Sequence, residues 1–551
     1  MSSPTTARGR LSRIAAGRAS RWVIPFLGYF LLFGAWAVAT PYDGTPDEMR
    51  HIIRAYGVAD GQVAPAPARE GKFPGAYHDV PSSLLRDNCF AFEPDRSAAC
   101  AEPPGGDRDE VRVLTPAGRY HPAYYAAVGW PLRLSPDMTG VLLARLVNAA
   151  LVAGLLAAAT AVTLRLRNRG VLAGLLVAVT PMTAHLAGAI NPNGVEIAAG
   201  AALVVALIAI LLEPDGAGRR AAPWWLAGIA GATLVTVRSA GPAWLAVIAL
   251  VMLVPLSLAR YRQLLRSRRM WLLAGALAAA GLASVGWTLW KRSNELIPNA
   301  LYKGHLGIVD AMKIEIFDKW RRYFTEMIGV MSWLDTPLPP VIHLVWWLSV
   351  GALLLPAVAL CRPAQRWRVA GLALLAMLVP SLLEAVNVNT YGFVAQGRYY
   401  LALLAGVPIL AGYFLAGLPN FDPTPRLTRL LALLLLPAHL ASLFYLMVRY
   451  QTGLPDGAFI VSLNPLAGSW HPQVGSLTPV LMGIAAVVVL VAWHFRVTAT
   501  PAPAAAGPTD GTGSGDNGTA PQATTSHTVP VHDLQRPMVV AAGQHQPEER
   551  P

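Results

Sequence analysis

Two adjacent acids, Asp47 and Glu48, follow the first long apolar run of the 551-residue chain, and His51 comes one helical turn later. A carboxylate that is held in a fixed position can act as a general base, because it takes the proton from a hydroxyl group bound beside it. The pair therefore predicts a reaction in which a hydroxyl oxygen becomes the nucleophile, with Asp47 or Glu48 as the base.

Two arginines at the ends of apolar runs indicate a second kind of chemistry. Arg238 closes one run, and Arg398 opens another within the motif Gln-Gly-Arg-Tyr at 396–399. A guanidinium group binds phosphate through two parallel hydrogen bonds and keeps its charge when buried. We therefore expect Arg398, together with Arg238, to bind the phosphate of a lipid-linked substrate.

The composition is that of a membrane protein. Hydrophobic residues make up 54% of the chain and charged residues only 14%, whereas soluble domains carry about 25% charged residues. This excludes a soluble enzyme, a secreted disulfide scaffold and a disordered protein. The net charge of +13 does not indicate a nucleic-acid partner, because the arginines lie in short clusters between apolar runs, as they do in membrane proteins.

The apolar runs predict an all-α polytopic fold of about twelve transmembrane helices, since a bilayer requires about 20 apolar residues per helix. Two connecting segments, 41–137 and 291–339, are long, and long loops are usually functional or separately folded. The predicted spans are 22–40, 138–164, 171–190, 192–212, 223–239, 241–259, 271–290, 340–360, 369–387, 399–417, 429–448 and 475–495.

The arginine clusters also predict the orientation. If the basic segment 1–21 is cytoplasmic, twelve alternating spans place nearly all of the clusters inside the cell and both long loops outside. Both termini are then cytoplasmic. The membrane domain covers 22–495, and the tail 496–551, rich in Pro, Ala, Gly and Thr, is predicted to be a disordered cytoplasmic extension.

This topology brings several polar motifs to the same outer side. Each motif alone is more typical of a turn, a helix cap or an interfacial anchor. Their shared side, and the high cost of placing ionisable groups at membrane depth, favour a joint role. We expect these residues to bind sugar or phosphate: His51, His121, Tyr124, Asn191, Asn193, Glu196, Asp335 and Gln396.

The segment that carries the two acids has a competing structural interpretation. Apolar residues between Met49 and Tyr56 recur at the spacing of one helical face, which predicts an amphipathic helix at the outer membrane surface. Thr45 as N-cap with Glu48 three residues later would form a capping box. Glu48 would then only cap the helix, and Asp47 would only favour its dipole.

Two cysteines lie in the first long loop. Cys89 and Cys100 are eleven residues apart, and a disulfide between them is expected if this loop faces an oxidising compartment. The alternative is two unpaired thiols. The usual zinc and nucleotide motifs are absent from the sequence.

Five motifs occur in an order that resembles a known family, the bacterial domain-of-unknown-function family 2142. The resemblance covers about residues 20–495 and leaves out the tail. That family resembles the GT-C glycosyltransferases, multi-span enzymes that use polyprenyl-phosphate sugars. The motifs are Pro46-Asp47-Glu48 with His51, His-Pro-x-Tyr-Tyr at 121–125, Asn-Pro-Asn-Gly at 191–194, Trp-Leu-Asp-Thr-Pro-Leu-Pro at 333–339 and Gln-Gly-Arg-Tyr at 396–399.

The resemblance implies a GT-C-like fold with its catalytic acid in the first outer loop, which here means Asp47 or Glu48. The leading hypothesis is inverting transfer of a sugar from a polyprenyl-phosphate donor to a cell-envelope glycan or lipid, at the outer face of a bacterial plasma membrane. A divalent cation shared by Asp47 and the donor phosphate is a possible cofactor.

Two alternatives belong to other classes of protein. A transporter or flippase of lipid-linked sugars would suit twelve spans, but transporters usually show internal repeats and helices broken at mid-membrane. The loops of this chain are instead asymmetric, with the longest one following the first span. A non-catalytic scaffold for envelope assembly leaves the one-sided polar clustering unexplained.

Overall fold

The structure is a computed structural model that describes residues 5–213, 220–298, 305–418, 424–454 and 464–499, with side chains from residue 21 onward. Helices form most of this part of the chain. They are α1 Thr5–Ala39, α2 Glu48–Ala59, α3 Pro122–Leu134, α4 Met138–Thr163, α5 Val171–Ala178, α6 Pro181–Ala187, α7 Pro192–Leu207, α8 Ala221–Val237, α9 Gly241–Leu253, α10 Leu258–Leu265, α11 Arg268–Lys291, α12 Ile308–Ile314, α13 Trp320–Gly329, α14 Pro340–Leu360, α15 Pro363–Tyr391, α16 Leu401–Leu404, α17 Gly406–Leu415, α18 Thr424–Thr452 and α19 Leu477–Ala499.

The prediction of a helical membrane protein is confirmed. Within the described ranges, eight helices are long and apolar enough to cross a membrane, and each falls on a predicted span. Three further apolar helices are shorter, Ala221–Val237, Gly241–Leu253 and Leu401–Leu415. The long candidates are Arg21–Ala39, Met138–Thr163, Pro192–Leu212, Arg268–Lys291, Pro340–Leu360, Pro363–Tyr391, Thr424–Thr452 and Leu477–Ala499.

One predicted span, 171–190, is wrong as a single helix. It is divided between α5 and α6, because Pro181 has no N–H group and disfavours the helical conformation of the residue before it. Thr180 caps the new helix through a hydrogen bond from the backbone N–H of Thr183 to its hydroxyl oxygen. The chain then turns, and Asn191 caps α7.

The first long segment, 41–137, folds as an ordered lobe. It contains α2, α3 and an antiparallel sheet in the order β1-β2-β3, with β1 at Pro67–Glu70, β2 at Phe73–Pro81 and β3 at Glu110–Thr115. The predicted disulfide between Cys89 and Cys100 is present, with their Cα atoms 6.1 Å apart. The second long segment, 291–339, contains α12, α13 and the short strands β4 at Val330–Met331 and β5 at Thr336–Pro337.

The amphipathic interpretation of α2 is wrong in one respect. Its apolar residues Ile52 and Ile53 are buried as expected, but His51 and Arg54 on the opposite side are buried as well. The helix contacts α3 and the strands β2 and β3. It therefore lies inside the lobe rather than with one polar face in solvent.

The predicted boundary of the tail is also displaced. The last helix continues to Ala499, so residues 496–499 are helical and belong to α19. The remainder of the predicted disordered tail, 500–551, lies outside the described residues, as do the side chains of the basic segment up to residue 20.

Candidate functional site

The two adjacent acids point into different surroundings because helix α2 begins between them. Asp47 is the N-cap and has a left-handed backbone conformation with φ 66°, whereas Glu48 is the first helical residue. The Asp47 side chain is 30% exposed and that of Glu48 is fully buried. The predicted capping box is wrong, because the hydroxyl of Thr45 makes no hydrogen bond among the described residues and Glu48 has other partners.

Glu48 forms a buried ion pair with Arg145 of α4. The Arg145 Nε and Nη2 atoms donate to the two carboxylate oxygens at 2.8 and 2.6 Å, and the backbone N–H of Ile190 donates at 3.0 Å. Arg145 also donates to the backbone oxygens of Thr40 and Pro41, each at 2.7 Å. The pair ties α4 to the connection between α1 and α2, and its groups are already engaged by each other and the backbone.

Asp47 lies instead against Arg398, which is 351 residues away in sequence. The Arg398 Nη2 atom donates to one carboxylate oxygen at 2.8 Å, and the Arg50 Nη1 atom donates to the other at 3.0 Å. Burial alone would raise the pKa of Asp47, but Arg398 and Arg50 outweigh it and hold that pKa below its ordinary value. The predicted base and the predicted phosphate ligand are therefore in direct contact, with the base ionised.

Several buried polar atoms around this contact have no hydrogen-bond partner among the described residues. They are Nε and Nη1 of Arg398, Oε1 of Gln396 and Nδ2 of Asn193. Buried polar groups in folded proteins are almost always hydrogen-bonded. Atoms left over in this way, three of them N–H donors, are suited to bind a ligand that brings oxygen acceptors.

The second arginine joins the same cluster through Tyr399. The Arg238 guanidinium lies 4.6 Å from the centre of the Tyr399 ring, and that of Arg398 lies 5.3 Å from it. Arg238 Nη1 donates to Asn193 Oδ1 at 2.7 Å. Glu196 is buried close by and accepts a hydrogen bond from Trp244 Nε1 at 3.0 Å. Both guanidinium groups thus contact the same aromatic ring, and two neighbouring cations favour an anionic ligand.

Three other predicted residues form hydrogen bonds with neighbouring protein groups. His51 shares a 2.8 Å hydrogen bond between Nδ1 and the Tyr125 hydroxyl, and burial lowers the pKa of His51 to about 3, so it is neutral. Asn191 donates to the backbone oxygen of Pro46 at 3.2 Å, directly before Asp47. Tyr124 donates to Asn148 at 3.0 Å and is buried.

Two further predicted residues have partners outside the cluster around Asp47 and Arg398. His121 caps α3 by accepting from the backbone N–H of Ala123 at 3.3 Å, and its ring packs against Trp287. Asp335 accepts from the backbone N–H of Phe92 at 2.8 Å and faces Arg449 at 3.5 Å. Neither forms a hydrogen bond or ion pair with Asp47 or Arg398 in the described part of the chain. Both remain predictions as substrate ligands.

Sequence reasoning missed Arg145 and Asp43. Arg145 had a usable signal, since it is an isolated charge in the middle of a predicted apolar span. Asp43 had none, because it is one of several polar residues in the turn after α1. It is 3% exposed, accepts from the backbone N–H of Met49 at 2.9 Å, and receives a 3.2 Å hydrogen bond from Asn88.

The pKa of Asp43 predicts a pH-dependent contribution to stability. Burial raises this pKa to about 7, against hydrogen bonds that lower it, whereas an unfolded aspartate has a pKa of about 3.9. The folded state therefore holds the proton more tightly, so this stabilisation is complete below about pH 4 and is lost as the pH rises through about 7. As the pH is raised from about 4 to about 8, the thermal midpoint of the wild type should decrease relative to that of the Asp43→Asn variant.

The control for this measurement is Asp310→Asn, at a side chain that is 62% exposed. It should follow the wild type across the whole range. A difference between wild type and Asp43→Asn that stays constant with pH would contradict the role given to Asp43.

The site does not fit a divalent cation. Each carboxylate oxygen of Asp47 faces a guanidinium group, and both oxygens of Glu48 are taken by Arg145, one of them also by Ile190. Among the residues that the structure describes, no group of three or more His, Cys, Asp or Glu side chains is arranged to hold a metal ion. The surroundings of Asp47 are cationic and suit an anion.

Comparison with known proteins identifies one family. A family model described as "Predicted membrane protein (DUF2142)" matches residues 30–407, more than half of the chain. The match includes Asp47, Arg238 and Arg398. No curated protein and no solved structure matches the chain.

Proposed function

The chain belongs to the DUF2142 family of membrane proteins, and we propose that it is a GT-C-like glycosyltransferase. In this proposal it moves a sugar from a polyprenyl-phosphate donor to a glycan or lipid acceptor of the bacterial cell envelope. The reaction takes place at the outer face of the plasma membrane, where the lipid tail of the donor stays in the bilayer.

The observation that carries this proposal is the contact between Asp47 and Arg398, with two further nitrogen atoms of Arg398 buried and without a hydrogen-bond partner in the described part of the chain. A group that can accept a proton lies against a group that can bind a phosphate. Glycosyl transfer with a phosphate leaving group requires both of these functions. Arg238, which contacts the ring of Tyr399, adds a second positive charge.

The proposed step is a single displacement with inversion. The Asp47 carboxylate takes the proton of an acceptor hydroxyl while that oxygen forms a bond to the anomeric carbon of the sugar. The bond between this carbon and the donor phosphate oxygen breaks, and the phosphate keeps the electron pair. Arg398 and Arg238 stabilise the charge that develops on the departing phosphate.

The ion pair between Asp47 and Arg398 also affects the basicity of Asp47. Arg398 holds the pKa of Asp47 low, and a carboxylate with a low pKa is a weak base. A donor phosphate that binds Arg398 competes with Asp47 for the same positive charge. Donor binding therefore raises the basicity of Asp47 at the moment when the acceptor proton has to be removed.

The proposed topology has twelve spans. Eight of these are the long candidates, and three are the shorter apolar helices. The interrupted pair α5 and α6 together counts as the remaining span. With the arginine clusters inside, both termini are cytoplasmic, and the lobe 41–137 and the segment 291–339 lie outside with Asp47.

A second candidate is a transporter or flippase of lipid-linked sugars. It is favoured by the interruption between α5 and α6, because transporters form their substrate sites at broken membrane helices. The carboxylate and guanidinium of this chain meet at the start of α2 and in the connection before α16 instead, which favours the enzyme.

Reconstituted protein and a radiolabelled polyprenyl-phosphate sugar separate the two functions. An enzyme forms a labelled product with a new glycosidic bond, whereas a flippase moves unchanged donor across the bilayer. We expect product, and we expect Arg398→Ala to raise the KM for the donor by about 100-fold, because the phosphate loses charge-assisted hydrogen bonds.

The control variant is Arg133→Ala, whose side chain is 56% exposed and pairs with Asp60 in the same lobe. It should keep the wild-type KM. Translocation of intact donor without any product would contradict the glycosyltransferase proposal.

A further inference from the structure

Arg398 is carried by a short irregular segment, residues 392–399, between α15 and α16. The segment begins at Gly392, which has φ 72°, a conformation that favours glycine. Only its last three residues, Gly397–Tyr399, form a helical turn. Its position therefore depends on contacts with neighbouring elements rather than on its own secondary structure.

Two buried glutamates bind the backbone of this segment. Glu384 of α15 accepts hydrogen bonds from the backbone N–H groups of Val394 and Ala395, the latter at 2.6 Å. Glu326 of α13 accepts from the backbone N–H of Gly397 at 2.7 Å. Hydrogen bonds to a carboxylate are about twice as strong as those between neutral groups. Three N–H groups directly before Arg398 are thus held by acids from two different helices.

A second set of contacts fixes Glu384 itself. The Tyr323 hydroxyl lies 3.3 Å from Glu384 and 3.1 Å from Glu315. The Tyr400 hydroxyl lies 3.4 Å from Glu315, and the rings of the two tyrosines stack with centres 5.1 Å apart. Because Tyr400 comes two residues after Arg398, the segment is held on both sides of the arginine.

Gly397 brings the segment into direct contact with α13. A Cβ atom at this position would lie 2.4 Å from the backbone oxygen of Tyr323 and 2.8 Å from Cβ of Glu326. A larger residue would force the backbone away from Glu326 and break its hydrogen bond. The glycine of the Gln-Gly-Arg motif is therefore required by packing.

From these contacts we propose that Glu326 and Glu384 are positioning residues, which place Arg398 against Asp47 and toward the donor phosphate. The proposal rests on the function proposed above. Both acids act through the backbone, since the ion-pair partner of the Arg398 guanidinium is Asp47. Their side chains hold the segment, and the segment sets where the charge of Arg398 lies.

A double-mutant cycle tests this with geranylgeranyl phosphate as the probe and the full chain in nanodiscs. Glu326→Ala should weaken binding about 10-fold, since it removes one charge-assisted hydrogen bond. Glu326→Gln should restore binding to within about threefold of the wild type, because its amide oxygen still accepts from Gly397. In an Arg398→Ala background, Glu326→Ala should have no further effect.

Arg322→Ala is the matched control. Arg322 Nε donates to the other oxygen of Glu326 and its side chain is 60% exposed. Removing it leaves the bond between Glu326 and Gly397 intact, so the affinity should not change. Additive effects of Glu326→Ala and Arg398→Ala, or a failure of Glu326→Gln to restore binding, would overturn the proposal.

Hydrogen exchange of residues 392–399 gives a readout that does not depend on the ligand. Glu326→Ala and Glu384→Ala should each speed exchange of the backbone N–H groups that they release, and Arg322→Ala should not. If the wild type binds no geranylgeranyl phosphate, the proposed function fails. Unchanged exchange in both Ala variants would overturn the positioning role in either case.

Discussion

The Asp47→Asn variant is expected to lose sugar transfer by about 1,000-fold while it remains folded, since general-base catalysis contributes about 10²–10⁴ in rate. Asparagine cannot take the acceptor proton at neutral pH. It has the same size as aspartate and tolerates the left-handed backbone that residue 47 adopts at φ 66°. The loss should therefore be chemical rather than structural.

Donor binding should not weaken in this variant. Replacing the Asp47 carboxylate by a neutral amide weakens its hold on Arg398 Nη2, which donates to Asp47 at 2.8 Å. The measurement is the turnover number for labelled donor beside the dissociation constant for geranylgeranyl phosphate. Near-normal turnover in Asp47→Asn would remove Asp47 from the mechanism.

The control for this variant is Asp60→Asn, at the other end of α2. Asp60 also pairs with an arginine, Arg133 at 2.6 Å, and its side chain is 24% exposed, close to the 30% of Asp47. It resembles Asp47 in charge, pairing and burial, but its ion-pair partner is Arg133, whereas Asp47 pairs with Arg398. Its replacement should leave turnover unchanged.

The second large effect is expected from the buried pair of Glu48 and Arg145. Arg145→Ala leaves the Glu48 carboxylate in a fully buried position without its counter-charge, and breaking such a pair costs about 3–5 kcal/mol. The yield of folded protein and its thermal midpoint should both fall sharply. The double variant Glu48→Leu, Arg145→Met should recover part of that stability, because no unpaired charge remains.

The thermal midpoint and the turnover of a Glu48→Gln variant distinguish the two acids of the predicted pair. Glu48→Gln should lower the thermal midpoint, and turnover should fall only in proportion to the folded fraction. An unchanged midpoint combined with abolished turnover would make Glu48 the base instead of Asp47.

The sequence predicted the membrane helices better than the contacts between residues that are distant along the chain. Long apolar runs determine where helices can cross a bilayer, so the eight long helices fall on predicted spans. The interruption of 171–190 was readable from Pro181, whose effect on the preceding residue is local. The partner of Glu48 was not readable as a pair, because Arg145 lies 97 residues away in sequence.

The sequence does not reveal that the side chains of Asp47 and Glu48 point into different surroundings, and the reason is physical. The chain enters α2 through a left-handed residue, Asp47 at φ 66°, and this changes the direction of the Asp47 side chain relative to that of Glu48. A positive φ at a residue other than glycine is set by its surroundings and leaves little trace in sequence. His121 shows the opposite case, since its capping of α3 is a local interaction that its motif already suggested.

A structure of the protein in nanodiscs with geranylgeranyl phosphate bound tests the proposed site directly. We expect phosphate density within hydrogen-bond distance of Arg398 and beside the Asp47 carboxylate, with Glu48 still paired with Arg145. Phosphate bound elsewhere, with the contact between Asp47 and Arg398 still at 2.8 Å, would contradict the proposed site.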